Sequence, residues 1–333
     1  MSEKLLEVKN LQTHFFTASG VSKAVDGISF SLEKGKTMGI VGESGSGKSV
    51  ASSSIIRLLS RTGKIVGGEI IFEGKNVLEF SKKELLDFRG RDVAVIFQDP
   101  MTSLDPVFKI GNQMVEMICA HQDVSKEEAR KMAIDALNKV GIPQPEKRLD
   151  SYPYQLSGGM CQRVIIAMAV CCKPKLIIAD EPTTALDVTV QARVLELLQG
   201  LQDELDTSIL LITHNLGVVW KMCDYVMVMY AGNTFEYADV ETLYTNPLHP
   251  YTWGLLDSMP LLSDNLKGDL KAIPGIPPDL RMTGGRCNFC NRCKYATEIC
   301  SKEVPPLVEV EAGHFVACHR QNGVETLVRG AEE

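Results

Sequence analysis

Short apolar segments recur along the chain, and the polar positions between them predict an α/β protein. Near the N-terminus, LLEVKNLQTHF, ISFSLEKG and TMGIVG are short and partly alternating, which predicts strands. From Lys175 the pattern is strand and helix in turn: KLIIAD, a helix over residues 188–205, SILLIT, a second helix and YVMVMY. Such alternation predicts a buried parallel sheet that is flanked by helices.

The rest of the chain adds a helical middle and a proline-rich end. A helix is predicted over residues 48–59 and a strand at EIIFEG, while residues 109–172 are mainly helical with breaks at Pro143 and Pro145. The part after Tyr237 holds eight of the fifteen prolines. This composition predicts turns and a small module rather than another sheet layer.

Composition limits the classes of function. The 333 residues suffice for one large or two modest domains, and 23% charged with 44% apolar residues is a globular balance. The net charge of −7, without long blocks of one sign, argues against nonspecific nucleic-acid binding. The longest apolar run, VIIAMAVCC, is too short to cross a bilayer. We therefore expect a soluble chain that binds no nucleic acid and can dock on a membrane protein.

The segment GESGSGKS fits a phosphate-binding loop, and it lies between a predicted strand and a predicted helix. Its glycines let backbone N–H groups converge on phosphate oxygens. Lys48 is expected to neutralise the β- and γ-phosphates, and Ser49 to offer its hydroxyl to Mg²⁺. The alternative is a glycine-rich turn with a chance lysine, which the complete match in this context disfavours.

The segment LIIADEP is an apolar strand that ends in two carboxylates. Asp180 is placed to hold the Mg²⁺ shell, and Glu181 to act as general base on an attacking water. Alone, the two carboxylates would fit a helix cap equally well. Their position downstream of a phosphate-binding loop favours catalysis.

Three further features are weak in isolation. Gln98 follows the strand AVIF and can reach metal and water through its amide, and His214 ends SILLIT, where a γ-phosphate sensor would lie. In LSGGMCQ, Ser157 and two glycines open a helix whose exposed N–H groups suit an anion, although an ordinary helix cap would look the same. A second phosphate motif in one chain suggests that each site is completed by another molecule.

Together and in this order, the motifs resemble the nucleotide-binding subunit of an ABC transporter, over residues 5 to about 260. GESGSGKS resembles Walker A, Gln98 the Q-loop, LSGGMCQ the signature motif and LIIADEP Walker B. Ala185, Leu186 and Asp187 resemble the D-loop, and His214 the switch histidine. The resemblance implies catalytic roles for Glu181, His214 and Gln98, and Mg²⁺ contacts for Ser49, Gln98 and Asp180. It implies ATP contacts for Phe15, Gly42, Glu43, Ser44, Gly45, Ser46, Gly47, Lys48, Ser49, Gln98, Asp180, Ser157, Gly158, Gly159, Gln162 and Asp187.

The family also implies an architecture. Its fold class is that of a P-loop NTPase, with a RecA-like α/β core, an antiparallel β segment and a helical subdomain, here about residues 89–170. ATP lies between one subunit's Walker A and the other's signature motif in a head-to-tail dimer. An aromatic residue stacks on adenine, for which Phe15 aligns best and Phe16 is the alternative. We expect residues 1–245 to form the ATPase domain and residues 246–333 a C-terminal extension.

The flanking segments QDPMTSLDP, NPLHPYTWGLL and IPGIPPDL resemble the importers of dipeptides and oligopeptides. This implies a second, homologous but non-identical ATPase subunit, two transmembrane permease subunits and an extracytoplasmic peptide-binding protein, with this chain at the cytoplasmic face of the membrane. A nickel or metal-chelate importer of the same family remains open. So do a soluble ABC ATPase and an ATP-regulated redox or metal sensor.

Five of the ten cysteines lie near the C-terminus, where a metal site is a better interpretation than disulfides. Cys287, Cys293, Cys300 and Cys318 match the cysteine pattern of the peptide-importer extension, which carries a [4Fe–4S] cluster in some members. Four thiolates suit either such a cluster or Zn²⁺. Cys290 is an alternative ligand that strengthens the zinc interpretation, His314 and His319 are further candidates, and free thiols remain open.

Overall fold

The computed structural model describes residues 3–184, 187–259, 272–321 and 327–329. Its strands are β1 Lys4–Thr17, β2 Gly20–Glu33, β3 Thr37–Val41, β4 Gly63–Phe72, β5 Lys75–Asn76, β6 Val93–Ile96, β7 Leu176–Asp180, β8 Ser208–Ile212, β9 Tyr225–Tyr230, β10 Asn233–Asp239, β11 Val308–Glu311 and β12 His314–Val316. Its α-helices are α1 Lys48–Ile55, α2 Lys82–Asp87, α3 Pro100–Ser103, α4 Ile110–His121, α5 Lys126–Lys139, α6 Pro145–Arg148, α7 Gly158–Cys171, α8 Val188–Leu205, α9 Leu216–Met222, α10 Val240–Thr245 and α11 Pro250–Asp257.

The chain forms two compact units. Unit 1 comprises Met1–Leu5, Leu32–Lys36 and Glu79–Leu211, and unit 2 comprises Leu6–Ser31, Thr37–Leu78 and Ile212–Glu333. Each unit therefore collects segments that are far apart in the sequence. The domain boundary predicted at residue 245 remains a prediction.

Unit 1 is built on short buried strands and a group of helices. β6 and β7 are parallel, with Val93 opposite Leu176, and β8 follows β7 on the other side. The first four residues of β7 are buried, which explains its continuous apolar sequence. Helices α4, α5 and α7 pack on one another, and α7 is apolar on most of its surface because it also contacts β6.

Unit 2 contains two groups of strands. β2, β1, β4 and β5 form one sheet in that order, and β1 runs antiparallel to β4. In the second group the order is β11, β12, β10, β9 and β3, in which β3 and β9 are parallel and the other pairs are antiparallel. All five residues of β3 are buried, so this strand gives the phosphate-binding loop a rigid start.

The predicted α/β class, with its antiparallel segment and helical region, is confirmed, and one local prediction is wrong. The helix predicted to reach residue 59 ends at Ile55, where the chain turns and Arg57 takes a left-handed φ of 54°. The proline-rich end contributes two short strands to the edge of an existing sheet, since β12 pairs with β10 and β11 with β12. Among the described residues, no helix has the length and hydropathy needed to span a membrane.

Candidate active site

The phosphate-binding loop of unit 2 joins β3 to α1, as the sequence predicts. Gly42 and Gly47 have φ values of +151° and +104°. A Cβ at Gly42 would lie 2.1 Å from the carbonyl oxygen of Met229, and a Cβ at Gly47 would lie 2.2 Å from that of Ala24. Only glycine fits such close backbone contacts. The loop is therefore pressed against neighbouring strands and keeps its curvature.

Lys48 lies inside this loop. Its side chain is 5% exposed, and Nζ donates hydrogen bonds to the carbonyl oxygens of Gly42 at 2.8 Å and Glu43 at 2.9 Å. The ammonium group is thus held at the loop's own backbone by two carbonyl oxygens. The hydroxyl of Ser46 is buried and has no protein hydrogen-bond partner among the described residues, which leaves it available to an anion.

The carboxylates of unit 1 lie at the end of β7. Ala179 is buried, Asp180 is half-buried, and Glu181 follows with a left-handed φ of 48°. Oε2 of Glu181 accepts hydrogen bonds from Nε2 of Gln98 and from Oγ1 of Thr184, both at 2.9 Å. The structure therefore brings the predicted general base and the Q-loop glutamine together.

Thr184 was not among the predicted site residues. A hydroxyl three positions after a carboxylate is a common turn former, so the sequence alone gives no reason to assign it to the site. In the structure it holds the same oxygen of Glu181 that Gln98 holds.

The signature segment opens α7. Ser157 is the N-cap, and its Oγ accepts a hydrogen bond from the N–H of Met160 at 3.3 Å. Gly158 is exposed, so the helix N-terminus has backbone accessible to an anion. Gln162, which the family resemblance assigns to ATP, is fully buried, and both atoms of its amide group have no partner among the described residues.

Two remaining predicted residues lie at helix starts. Asp187 caps α8 by accepting a hydrogen bond from the N–H of Val190 at 3.0 Å, whereas Ala185 and Leu186 of the predicted D-loop lie outside the described residues. His214 is exposed and follows β8 directly before the N-cap of α9, Asn215.

The aromatic residues of β1 differ in exposure. Phe15 is half-buried against Gly63, where an added Cβ would come within 2.9 Å of the Phe15 ring. Phe16 is 43% exposed, and Nζ of Lys64 lies 5.7 Å from its ring centroid. The assignment of Phe15 to adenine stays a prediction.

The C-terminal cysteines of unit 2 converge on one cavity, which is lined by Cys287, Cys290, Cys293, Cys300 and Cys318 together with His249 and His319. Burial raises the pKa of Cys287 to about 12 and that of Cys293 to about 11, and the neighbouring thiols add to both shifts. Cys290 lines the cavity with the others, so its role stays open. His314 does not line it, because its Nε2 is hydrogen-bonded to Glu236 at 2.8 Å.

The number and chemistry of these thiols suit a cluster or Zn²⁺, but their spacing in this structure does not. Within the described ranges, no group of three or more His, Cys, Asp or Glu side chains is arranged to hold a metal ion.

Comparisons with known proteins show similarity to ABC transporter ATP-binding proteins over most of the chain. The model of the ABC transporter family matches residues 25–184, and the model of the oligopeptide/dipeptide transporter C-terminal region matches residues 235–300. A probable peptide ABC transporter ATP-binding protein of Sinorhizobium fredii is 47% identical over 98% of this chain and 98% of its own length. The oligopeptide transport ATP-binding protein OppD of Bacillus subtilis is 51% identical, covering 94% of this chain and 88% of its own.

Solved structures support the fold. A dimeric ATP-binding cassette with ADP and phosphate bound superposes with a TM-score of 0.63 at 25% identity, over 71% of this chain and 98% of that one. An ABC transporter subunit from Clostridium perfringens gives a TM-score of 0.63 at 28% identity, over 74% and 92%. The predicted P-loop NTPase fold class is thereby confirmed. This chain belongs to the ABC transporter ATPases, in the family that carries the oligopeptide/dipeptide transporter C-terminal region.

Proposed function

We propose that this chain is the ATP-hydrolysing subunit of an importer of dipeptides or oligopeptides. The observation that carries hydrolysis is the placement of Glu181, whose carboxylate is held by Gln98 and Thr184 at the end of a buried strand. The observation that supports peptides is the similarity to peptide-transport ATPases, which extends through the C-terminal extension.

In this proposal Glu181 accepts a proton from water while the water oxygen attacks the γ-phosphorus, and the bond to the β–γ bridging oxygen breaks to release ADP. Two hydrogen bonds to one carboxylate oxygen fix the direction of the other oxygen. Lys48, now bonded to loop carbonyls, would turn to the phosphate oxygens. Ser49, Asp180 and Oε1 of Gln98 are oxygen donors of the type Mg²⁺ prefers, and the ion would neutralise phosphate charge.

The proposed ATP site requires a second ATPase subunit. The helix start at Ser157 and Gly158 would bind the γ-phosphate held by the partner's Walker A loop, as helix N-termini bind anions. We propose a homologous, non-identical partner, with Phe15 stacking on adenine and with Asp187 and His214 near the γ-phosphate. Both ATP molecules would then form the interface that closes the dimer.

We propose that two permease subunits recruit the chain to the cytoplasmic face of the membrane and that an extracytoplasmic binding protein delivers the peptide. The cysteine cavity is the proposed site of a [4Fe–4S] cluster or of Zn²⁺, and binding would have to draw together thiols that are not arranged around an ion in the described residues. What supports this part is that five sulfur-bearing side chains line one cavity. Anaerobic purification followed by iron, sulfide and zinc analysis tests it, and protein free of all three would reject it.

The experiment for transport uses the complete importer in lipid vesicles. A labelled short peptide and a nickel chelate are offered in parallel, with the Lys48→Ala complex as the inactive control. Peptide uptake that needs ATP and is lost in the control supports the proposal. Uptake of the chelate alone, or ATP hydrolysis that neither solute stimulates, contradicts it.

A further inference from the structure

Glu43 is a carboxylate inside the phosphate-binding loop, directly after Gly42. A negative charge so close to a bound triphosphate repels it, because the interaction between like charges is unfavourable at short range. Unless the charge is balanced, Glu43 should therefore weaken ATP binding. The structure shows what balances it.

Arg292 from the C-terminal extension forms a two-point ion pair with Glu43. Nη1 lies 2.5 Å from Oε2 and Nη2 lies 2.9 Å from Oε1, the fork geometry of the strongest arginine–carboxylate pairs. The Arg292 side chain is 5% exposed and that of Glu43 is 27% exposed, so water screens the pair weakly. The carboxylate accordingly raises the pKa of Arg292.

Residues of the extension and the last residue of β9 hold Arg292 in this position. Its Nε donates to the carbonyl of Pro274 at 2.8 Å, and its Nη1 donates to the hydroxyl of Tyr230 at 3.1 Å. The guanidinium also lies 5.7 Å from the ring centroid of Tyr230 and 5.9 Å from that of Phe289. An arginine fixed by so many partners is pre-organised and does not need to find the loop.

A second residue of the extension contacts the backbone of Glu43. The hydroxyl of Tyr251 accepts a hydrogen bond from the Glu43 N–H at 2.9 Å, and Tyr251 is fully buried. The side chain and the backbone of one loop residue are thus both held by the C-terminal extension. This is an arrangement that an ordinary surface ion pair does not have.

We propose that Arg292 is a positioning residue for ATP binding, which neutralises Glu43 and, with Tyr251, holds the phosphate-binding loop in its binding shape. The affinity for ATP then depends on the C-terminal extension. The turn that carries Arg292 also carries Cys290 and Cys293, since the N–H groups of Arg292 and Cys293 both donate to the Phe289 carbonyl, at 2.9 and 3.0 Å. A structural change in the cysteine cavity would therefore displace Arg292 and, through its pair with Glu43, the phosphate-binding loop.

The test measures binding of a fluorescent ATP analogue with Mg²⁺ to the full-length chain. Arg292→Ala should weaken binding by about tenfold or more, because it leaves an unbalanced carboxylate at the site. Arg292→Lys keeps the positive charge but loses the two-point geometry, so its affinity should lie between that of the wild type and that of Arg292→Ala. Arg329→Ala is the matched control, since it removes an arginine–carboxylate pair of the same extension at an exposed position, and it should bind normally.

The decisive variant is the double substitution Glu43→Gln with Arg292→Ala. It removes the repelling charge, so its affinity for the ATP analogue should recover to within about threefold of the wild type. The remaining difference reflects the hydrogen bonds that are lost with Arg292. In the assembled transporter, Arg292→Ala should raise KM for ATP and leave kcat nearly unchanged. Wild-type affinity in Arg292→Ala, or a double variant as weak as Arg292→Ala alone, would overturn the proposal. If Arg292→Ala does not fold, Arg292→Lys and Glu43→Gln carry the test, and a Glu43→Gln variant that binds more weakly than Arg292→Lys overturns it.

Discussion

The amide Nε2 of Gln98 donates a hydrogen bond to Oε2 of Glu181 at 2.9 Å, although the two residues are 83 positions apart. Because Thr184 donates to the same oxygen, the base is oriented from two sides. Gln98→Ala and Thr184→Val should each lower kcat for ATP hydrolysis by about tenfold. ATP binding should change little in Thr184→Val, whereas Gln98→Ala also removes a proposed Mg²⁺ donor and should weaken it. Steady-state hydrolysis together with nucleotide binding checks this. Unchanged kcat in both variants would mean that neither residue orients the base.

Lys48 binds two carbonyl oxygens of its own loop. Lys48→Ala removes both the loop's internal contact and the charge that faces the triphosphate. We expect most of the ATP affinity and turnover to be lost. Equilibrium binding of a fluorescent ATP analogue measures the effect, and near-normal hydrolysis would refute the assignment of the loop.

Glu236 is a fully buried carboxylate that organises the start of the extension. It accepts hydrogen bonds from the backbone N–H groups of Leu248 at 2.6 Å and His249 at 3.0 Å, and it pairs with His314 at 2.8 Å. Glu236→Gln keeps the shape but puts an N–H₂ group where an acceptor is needed. The free energy of unfolding should fall by about 2 kcal/mol, the range for leaving a buried hydrogen-bonding group unsatisfied.

Chemical denaturation measures this loss, and Glu241→Gln provides the comparison because it removes the same charge at an exposed position of α10. We expect the Glu241 variant to stay within about 0.5 kcal/mol of the wild type. Equal losses in the two variants would show that the buried network contributes no special stability.

Burial lowers the pKa of His249 to about 3, so this side chain is neutral in the folded protein. In the unfolded chain a histidine takes up its proton near pH 6.5, which is above the folded value, so acid favours unfolding. The contribution of His249 to the free energy of unfolding is complete above about pH 6.5. Below that pH it decreases by about 1.4 kcal/mol per pH unit, down to about pH 3. His249→Asn keeps a helix-capping side chain and should remove this dependence. Denaturation curves at several pH values test it, and parallel pH profiles of the two proteins would contradict it.

The sequence was sufficient to predict the features that depend on the order of neighbouring residues. The loop after β3 and the carboxylates after β7 lie where the motifs predict them, because an apolar strand followed by glycine or carboxylate residues defines its own turn. The partners of these groups could not be predicted. Arg292 and Glu43 are 249 positions apart, and nothing in the local pattern of either residue indicates the pair. The end of α1 was missed because a left-handed residue such as Arg57 leaves no mark in an apolar periodicity.

Hydrolysis by the variant Glu181→Gln is the most direct test of the proposed function, because the proposed chemistry depends on this one carboxylate. The substituted amide keeps the size of the side chain but accepts no proton from water. We expect the variant to bind ATP with nearly wild-type affinity and its single-turnover hydrolysis rate to fall by about 100-fold or more. A variant that still cleaves ATP at close to the wild-type rate would show that another group is the general base.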